Sequence, residues 1–157
     1  MAVSLGPTGL VLDNITVPNN AGGTVIQAKI AKYASALGTS AVTVAANTWT
    51  DLMSITMTTQ ANSRVMMWFD SHQTELGATN ANPNMYFEID GSQVSTDTNH
   101  YFYQNGGRTV ISKIFMSDAL SAGSHTFKVR GSSYGSSCTW NFQNSNGGIF
   151  MVQEIAE

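Results

Sequence analysis

Residues 53–58 alternate between two kinds of side chain, and this alternation limits what the chain can fold into. The two sets are Met53, Ile55 and Met57 on one side and Ser54, Thr56 and Thr58 on the other. A β-strand sends successive side chains to opposite faces, whereas an α-helix repeats every 3.6 residues. The pattern therefore predicts a strand that has one buried face and one wet face.

Similar short runs, rich in β-branched and aromatic residues, follow at a spacing of roughly ten residues, separated by Gly, Asn, Ser and Asp. The further predicted strands are Thr24–Tyr33, Ser63–Ser71, Asn84–Asp90, Asn99–Tyr103, Thr109–Met116, His125–Arg130, Cys138–Gln143 and Ile149–Ile155. Residues 28–37 suit a short helix or a strand, and we favour the strand. About nine or ten strands and no helix predict an all-β antiparallel sandwich or barrel.

Turn residues support antiparallel neighbours. Asp90 and Gly91 lie between two apolar runs, as in a two-residue hairpin, and residues 105–107 (NGG) tolerate positive φ. Residues 120–123 (LSAG) predict a turn into a strand in which Phe127 and Val129 point inward.

Composition excludes several classes of partner. Only 11% of the 157 residues are charged, and the net charge is −3. The seven basic residues are scattered and form no stripe for phosphates, so we expect no nucleic acid partner. No apolar run approaches the roughly 18 residues of a membrane span, and the N-terminus lacks the basic start of a signal peptide. We expect one domain, made in the cytoplasm, with no membrane partner.

One motif looks catalytic. Residues 131–135 (GSSYG) match the G-x-S-x-G nucleophile elbow. The elbow needs a helix after Ser133 and a histidine downstream, but a strand is predicted next and no histidine follows. A loop between two strands explains the same residues, so we expect no enzyme and no catalytic residues.

Metal and cofactor sites are not indicated either. His72, His100 and His125 lie on or beside three different predicted strands, with no H-x-H or H-x-x-x-H pair. The carboxylates form no D-x-D-x-D calcium loop. Cys138 is the single cysteine and forms no intrachain disulfide. We therefore expect no metal and no cofactor, although a site assembled across strands stays open.

Some strands are apolar on both faces. Every residue from Val65 to Phe69 is apolar, residues 149–152 share this character, and residues 110–111 with 114–116 share it less fully. A strand of this kind needs cover on both sides, which favours a homo-oligomer with a buried axis. Residues 1–22 predict an N-terminal arm, and residues 23–157 the domain. The candidate assembly residues are Leu10, Val11, Leu12, Ile15, Val17, Met66, Trp68, Phe150 and Val152.

The aromatic residues allow a second interpretation. Trp49, Trp68 and Trp140, together with several tyrosines, are suited to stacking on a sugar from a β-sandwich. Each also suits plain packing, because aromatic residues prefer strands and bury large areas.

In their order along the chain, six phrases resemble the β-rich domains of tailed-bacteriophage structural proteins, in tail-fibre heads and capsid decoration proteins. The phrases are GGTVIQAKIAKY, NTWTDLMSITMTT, ANSRVMMWFD, FEIDGSQV, LSAGSHTFKVRG and GGIFMVQEIAE, and the resemblance covers about four fifths of the chain. Such domains are jelly-roll-like sandwiches, similar to the tumour-necrosis-factor fold, that assemble as trimers.

The resemblance implies a non-enzymatic virion protein. Because only about twenty residues precede the domain, where fibre proteins carry long shafts, a trimeric capsid decoration (cement) protein is favoured. Its expected partners are copies of itself and the major capsid protein or other virion proteins. The alternative is a tail-fibre or tail-tip module that binds a receptor or a host surface glycan.

Overall fold

The chain is all-β in its computed structural model. The structure describes the backbone of residues 4–6, 9–11, 29–37, 41–71, 73–76, 81–96, 98–99, 108–141 and 148–156, and the side chains of residues 41–71, 81–96, 108–140 and 148–155. No helix occurs in these ranges, and hence none that is long and apolar enough to cross a membrane.

The described residues form fifteen strands. In chain order they are β1 (Ser4–Gly6), β2 (Gly9–Val11), β3 (Lys29–Leu37), β4 (Val42–Val44), β5 (Thr50–Thr59), β6 (Arg64–Asp70), β7 (Gln73–Leu76), β8 (Asn82–Ile89), β9 (Ser92–Gln93), β10 (Thr98–Asn99), β11 (Arg108–Thr109), β12 (Ser112–Met116), β13 (Gly123–Tyr134), β14 (Cys138–Asn141) and β15 (Ile149–Ala156). From the sequence, residues 28–37 suit a helix or a strand, with the strand favoured. The described part, residues 29–37, is a strand.

Two sheets form the sandwich, and a third sheet adjoins them. Sheet I has the order β12-β6-β15-β3, and sheet II has the order β10-β8-β13-β5 with β9 also beside β8. Sheet III has the order β11-β7-β14-β4, and each of its strands lies between a sheet I strand and a sheet II strand along the chain. At one junction, Ser71 N–H donates to Ile111 O at 2.9 Å, and Ile111 N–H donates to Ser71 Oγ at 2.9 Å.

The strand order is that of a jelly roll. The pairs are β3 with β15, β5 with β13, β6 with β12, and β8 with β10. Strands from the second half of the chain thus lie beside those of the first half in reverse order. Every one of these pairs is antiparallel. A long hairpin wrapped into two sheets gives this arrangement. The prediction of an all-β antiparallel sandwich is confirmed. The strands are more numerous than the nine or ten predicted because β1, β2, β4, β7 and β9 were not predicted and the predicted strand at residues 109–116 is divided into β11 and β12.

The core lies between sheets I and II. The ring of Phe87 on β8 stacks on that of Phe150 on β15, with centroids 6.0 Å apart and planes 17° apart. Met53, Ile55 and Met57 point into this core, as their alternation predicts. The core therefore follows the period of two read from the sequence.

The hairpin at Asp90 and Gly91 is confirmed. Both residues have positive φ, 50° and 83°, and Ile89 pairs with Ser92 across the turn. Positive φ at both central residues is the type I′ pattern that matches strand twist. The predicted turn at residues 105–107 lies outside the described residues, whereas residues 120–123 lead into β13, in which Phe127 and Val129 are fully buried as predicted.

The predicted arm is described only in part. Leu5 pairs with Leu10, and Ser4 with Val11, in a short hairpin of β1 and β2 that joins no other described strand. The boundary between an arm of residues 1–22 and a domain of residues 23–157 stays a prediction.

Candidate functional site: an exposed apolar sheet face

An apolar surface occupies part of the outer side of sheet I. We call it the apolar face, and it consists of Met66 and Trp68 on β6, Ile114 and Met116 on β12, and Met151 on β15. Trp68 is 36% exposed, Met116 45% and Ile114 65%. Monomeric proteins rarely expose large contiguous apolar patches, and large patches of this kind mark interaction sites.

Strand register brings these side chains together. Trp68 lies opposite Ile114 on one side and opposite Met151 on the other. Met66 lies opposite Met116 in the next row. Directly opposed side chains in a sheet have Cβ atoms about 4.5–5.5 Å apart, so the five residues form one continuous surface.

The doubly apolar run of β6 explains how the face arises. Val65, Met67 and Phe69 are fully buried in the core, and the residues between them, Met66 and Trp68, point to the outer side. The second sheet thus covers one face of this strand, and the other face keeps exposed apolar area. Sequence reasoning selected Met66 and Trp68 and missed Ile114, Met116 and Met151, although the apolar character of residues 110–116 and 149–152 was the available signal.

Phe150 and Val152 lie elsewhere. Both are fully buried between the sheets, where Phe150 stacks on Phe87. Met151, the residue between them, is the one that reaches the outer side. The sequence shows that residues 149–152 are apolar throughout but does not show which alternate set faces the core.

The N-terminal candidates are described least. Leu10 and Val11 belong to β2, and their side chains are outside the described part. Leu12, Ile15 and Val17 lie outside the described residues altogether. Their role in assembly stays a prediction.

A groove lies next to the apolar face. It has a volume of about 410 Å³, and its apolar walls are Ile89, Val94, Phe115 and Leu120. The groove runs between the end of β12 in sheet I and β9 in sheet II. The groove and the apolar face share no residue, because Phe115 points to the opposite side of β12 from Ile114 and Met116.

The residues of the catalytic-looking motif have structural roles. Ser133 is fully buried in β13, and its hydroxyl donates to Ser136 O at 2.5 Å. Gly135 has a φ of 85°, as the turn into β14 requires. Burial raises the pKa of the nearby Cys138 thiol, which disfavours the reactive thiolate.

His125 holds the start of β13 to the turn after β8. Its Nδ1 lies 2.6 Å from Asp90 Oδ2, and its Nε2 lies 3.0 Å from Ser121 O. Both partners are acceptors, so the doubly protonated ring satisfies both contacts. The bond to Asp90 and then that to Ser121 raise the pKa of His125 against the effect of burial.

Asp90 completes this clamp. Desolvation opposes ionisation of Asp90, but the Thr126 N–H, at 2.8 Å, and His125 outweigh it and lower the pKa of the carboxyl.

His72 and His100, the other two histidines, lie outside the described residues. Within the described part of the chain, no three side chains of the metal-binding types come together.

Comparison with known proteins finds distant structural similarity alone. No protein family matches the sequence, and no curated protein matches it. A structure of infectious bursal disease virus, Gx strain, has a TM-score of 0.44 at 9% identity over 99% of this chain. A mutant VP2 protein of that virus, in derived T=1 particles, has a TM-score of 0.41 at 10% identity over 99% of this chain. The chain spans 40% of the length of each.

A third structure is the C-terminal domain of EclA, described as a sugar-binding protein. Its TM-score is 0.35 at 14% identity, over 93% of this chain and 99% of that domain. Similarities this distant concern the fold, so the function has to be argued from the residues of this chain.

Proposed function

We propose that this chain is a non-enzymatic structural subunit of a bacteriophage virion, which assembles as a homotrimer and decorates the head shell as a cement protein. The observation that carries the proposal is the apolar face of sheet I. An outer sheet surface with Trp68, Ile114 and Met116 exposed is suited to burial against another protein surface.

Burial of this face provides the driving force for assembly. Covering the exposed part of Ile114 contributes on the order of 1–2 kcal/mol per copy, and Trp68 and Met116 add to it. Closed symmetry repeats the same contact in every subunit. The sequence resemblance to trimeric phage domains favours three copies.

Attachment to the shell is assigned to residues 1–22. An extended arm binds a neighbouring capsid protein by adding backbone hydrogen bonds at a sheet edge. Several arms on one trimer then bind cooperatively. When one arm is bound, the effective concentration of the other arms near their own binding sites is higher.

Deletion of residues 1–22 tests this assignment. We expect the truncated protein to stay folded and trimeric, because the apolar face is intact, and to lose binding to phage particles in a co-sedimentation assay. A truncated protein that still decorates the particles would contradict the role of the arm.

The location itself is tested on purified particles. We expect mass spectrometry of gradient-purified phage to detect the chain, and electron cryo-microscopy of the head to show jelly-roll density in groups of three on the shell. Absence of the chain from purified particles would overturn the virion assignment, and density at the tail tip would move the protein from cement to receptor binding.

A further inference from the structure

The outer side of sheet II differs from the apolar face. Along β5 and β13 its outward residues carry mainly hydroxyl groups, as at Thr56 and Thr126, which lie opposite each other. Where β5 begins, two aromatic rings meet four charged side chains. We call this group the polar cluster, and it consists of Trp49, Asp51, Tyr86, Glu88, Lys128 and Arg130.

A bulge in β5 places Asp51 in the cluster. Met53 lies opposite Val129, but Asp51 lies opposite Arg130, so β5 has one extra residue at this point. Leu52 and Met53 are both buried as a result. Strict alternation from Met53 would turn Asp51 into the core, and the bulge turns it to the outer side instead.

Gly131 makes room for the bulge. A Cβ at this position would lie 2.7 Å from Leu52 Cδ1 and 2.9 Å from Leu52 Cγ. Bulges often redirect a side chain beside a functional site. The glycine and the bulge thus act together to hold Asp51 next to Arg130.

The charges of the cluster cancel. Lys128 Nζ donates to Asp51 Oδ2 at 2.8 Å, and Arg130 Nη1 donates to Glu88 Oε2 at 3.2 Å. Arg130 Nε lies 2.9 Å from Asp51 Oδ1, an ion pair in which the N–H does not point at the oxygen. Two cations and two carboxylates leave no excess positive charge for an anionic ligand.

Oxygen acceptors remain available to a ligand. The Asp51 side chain is 47% exposed, whereas that of Glu88 is 7% exposed. An ionised carboxylate accepts about four hydrogen bonds, and Asp51 therefore has capacity left on its exposed side.

The aromatic pair forms an apolar wall. The rings of Trp49 and Tyr86 meet edge to face, with centroids 4.5 Å apart and planes 61° apart. Arg130 connects this wall to the charges, because it lies opposite Tyr86 in the sheet and its Nη2 donates to Trp49 O at 3.2 Å. In an edge-to-face pair, the ring that offers its edge keeps its own faces for a third group.

We propose that the polar cluster is a binding site for a neutral pyranose sugar. The apolar C–H face of the sugar packs on the rings of Trp49 and Tyr86, and its hydroxyl groups donate to the exposed carboxylate of Asp51. A few placed polar groups beside an aromatic wall are typical of small-molecule sites. The cluster lies on sheet II, so this proposal does not depend on assembly through sheet I.

Saturation-transfer NMR tests the proposal on the full-length protein. The probes are the methyl glycosides of glucose, galactose, mannose, N-acetylglucosamine and fucose, with N-acetylneuraminic acid as the anionic comparison. We expect at least one neutral glycoside to bind with a millimolar Kd, and the anionic sugar to bind at least tenfold more weakly. Failure of all five glycosides to bind, or preferred binding of the anionic sugar, would overturn the proposal.

Two variants locate the site. We expect Trp49→Ala and Asp51→Asn to weaken the best glycoside at least tenfold, and Thr56→Ala, on the same sheet surface farther along β5, to leave its Kd unchanged. Asp51→Asn keeps the shape of the side chain, so it carries the test if Trp49→Ala does not fold. Unchanged binding in folded Asp51→Asn would place the sugar elsewhere and refute the site. Light scattering on the same samples shows whether the oligomer is intact, and so separates this test from that of assembly.

Discussion

At the scale of single residues, two glycines of this chain do different work. Gly91 provides a φ of 83° in the turn after β8, and a Cβ there would meet nothing within 4 Å. Gly131 is restricted by space instead, because Leu52 packs against its Cα. The first role follows from the Asp-Gly pair in the sequence, whereas the second depends on a bulge in a strand some 80 positions earlier, and the sequence contains no local signal for it.

Gly131→Ala tests the packing of the bulge. We expect it to lower the free energy of unfolding by about 1–3 kcal/mol, because the added methyl group overpacks against buried Leu52. The measurement is urea denaturation, repeated in a Leu52→Ala background. In that background Gly131→Ala should cost less, since the clash is removed. Equal costs in both backgrounds would show that Leu52 is not the obstacle.

At the scale of elements, the clamp between His125 and Asp90 connects the β8–β9 turn to the start of β13. The two residues are 35 positions apart, and a third contact, from Thr126 N–H to Asp90, repeats the connection. The clamp joins an end of β8 to an end of β13, the two central strands of sheet II. Because His125 and Asp90 both titrate, the strength of the clamp depends on the protonation of both side chains.

The stability of the fold should depend on pH through this clamp. The pKa of His125 is raised above 6.5, so its contribution is complete below pH 6.5 and is lost as pH rises through the folded value. The pKa of Asp90 is lowered below 3.8, so its contribution is complete above pH 3.8 and is lost as pH falls through the folded value. We expect a higher Tm near pH 5.5 than near pH 8.5.

The control for this prediction is His125→Gln, which keeps polar atoms but does not titrate. We expect the difference in Tm between pH 5.5 and pH 8.5 to shrink in the variant, with most of the loss at pH 5.5. A difference of the same size in the wild-type protein and in the variant would assign the pH dependence to other groups.

Much of the element structure could be predicted from the sequence. The period of two in residues 53–58 and the Asp-Gly turn are local signals, and both are confirmed. Strands that are apolar throughout, such as residues 149–152, carry no such signal for which side is inner, because the stacking of the second sheet decides it. The polar cluster could not be predicted from the sequence either. Lys128 and Asp51 are 77 positions apart and meet only through the register of β13 with the bulged β5.

At the scale of the whole molecule, the two outer surfaces of the sandwich have opposite character. Sheet I presents Trp68, Ile114 and Met116, and sheet II presents hydroxyl groups and a balanced set of charges. A jelly roll needs only one core between its sheets, so the extra apolar surface is not required for folding of the single chain. We assign it to contact between copies, and the polar surface to contact with solvent and a sugar.

The mass of the protein in solution tests this assignment most directly. We expect size-exclusion chromatography with multi-angle light scattering to give about 50 kDa for the wild-type protein, three times the 16.8 kDa of one chain. Ile114→Lys should give about 17 kDa, because it places a charge in the apolar face. The matched control, Tyr134→Lys, changes a residue that is also 65% exposed but lies in sheet II, and should stay at about 50 kDa. A wild-type mass of 16.8 kDa, or an oligomer unchanged by Ile114→Lys, would contradict assembly through the apolar face.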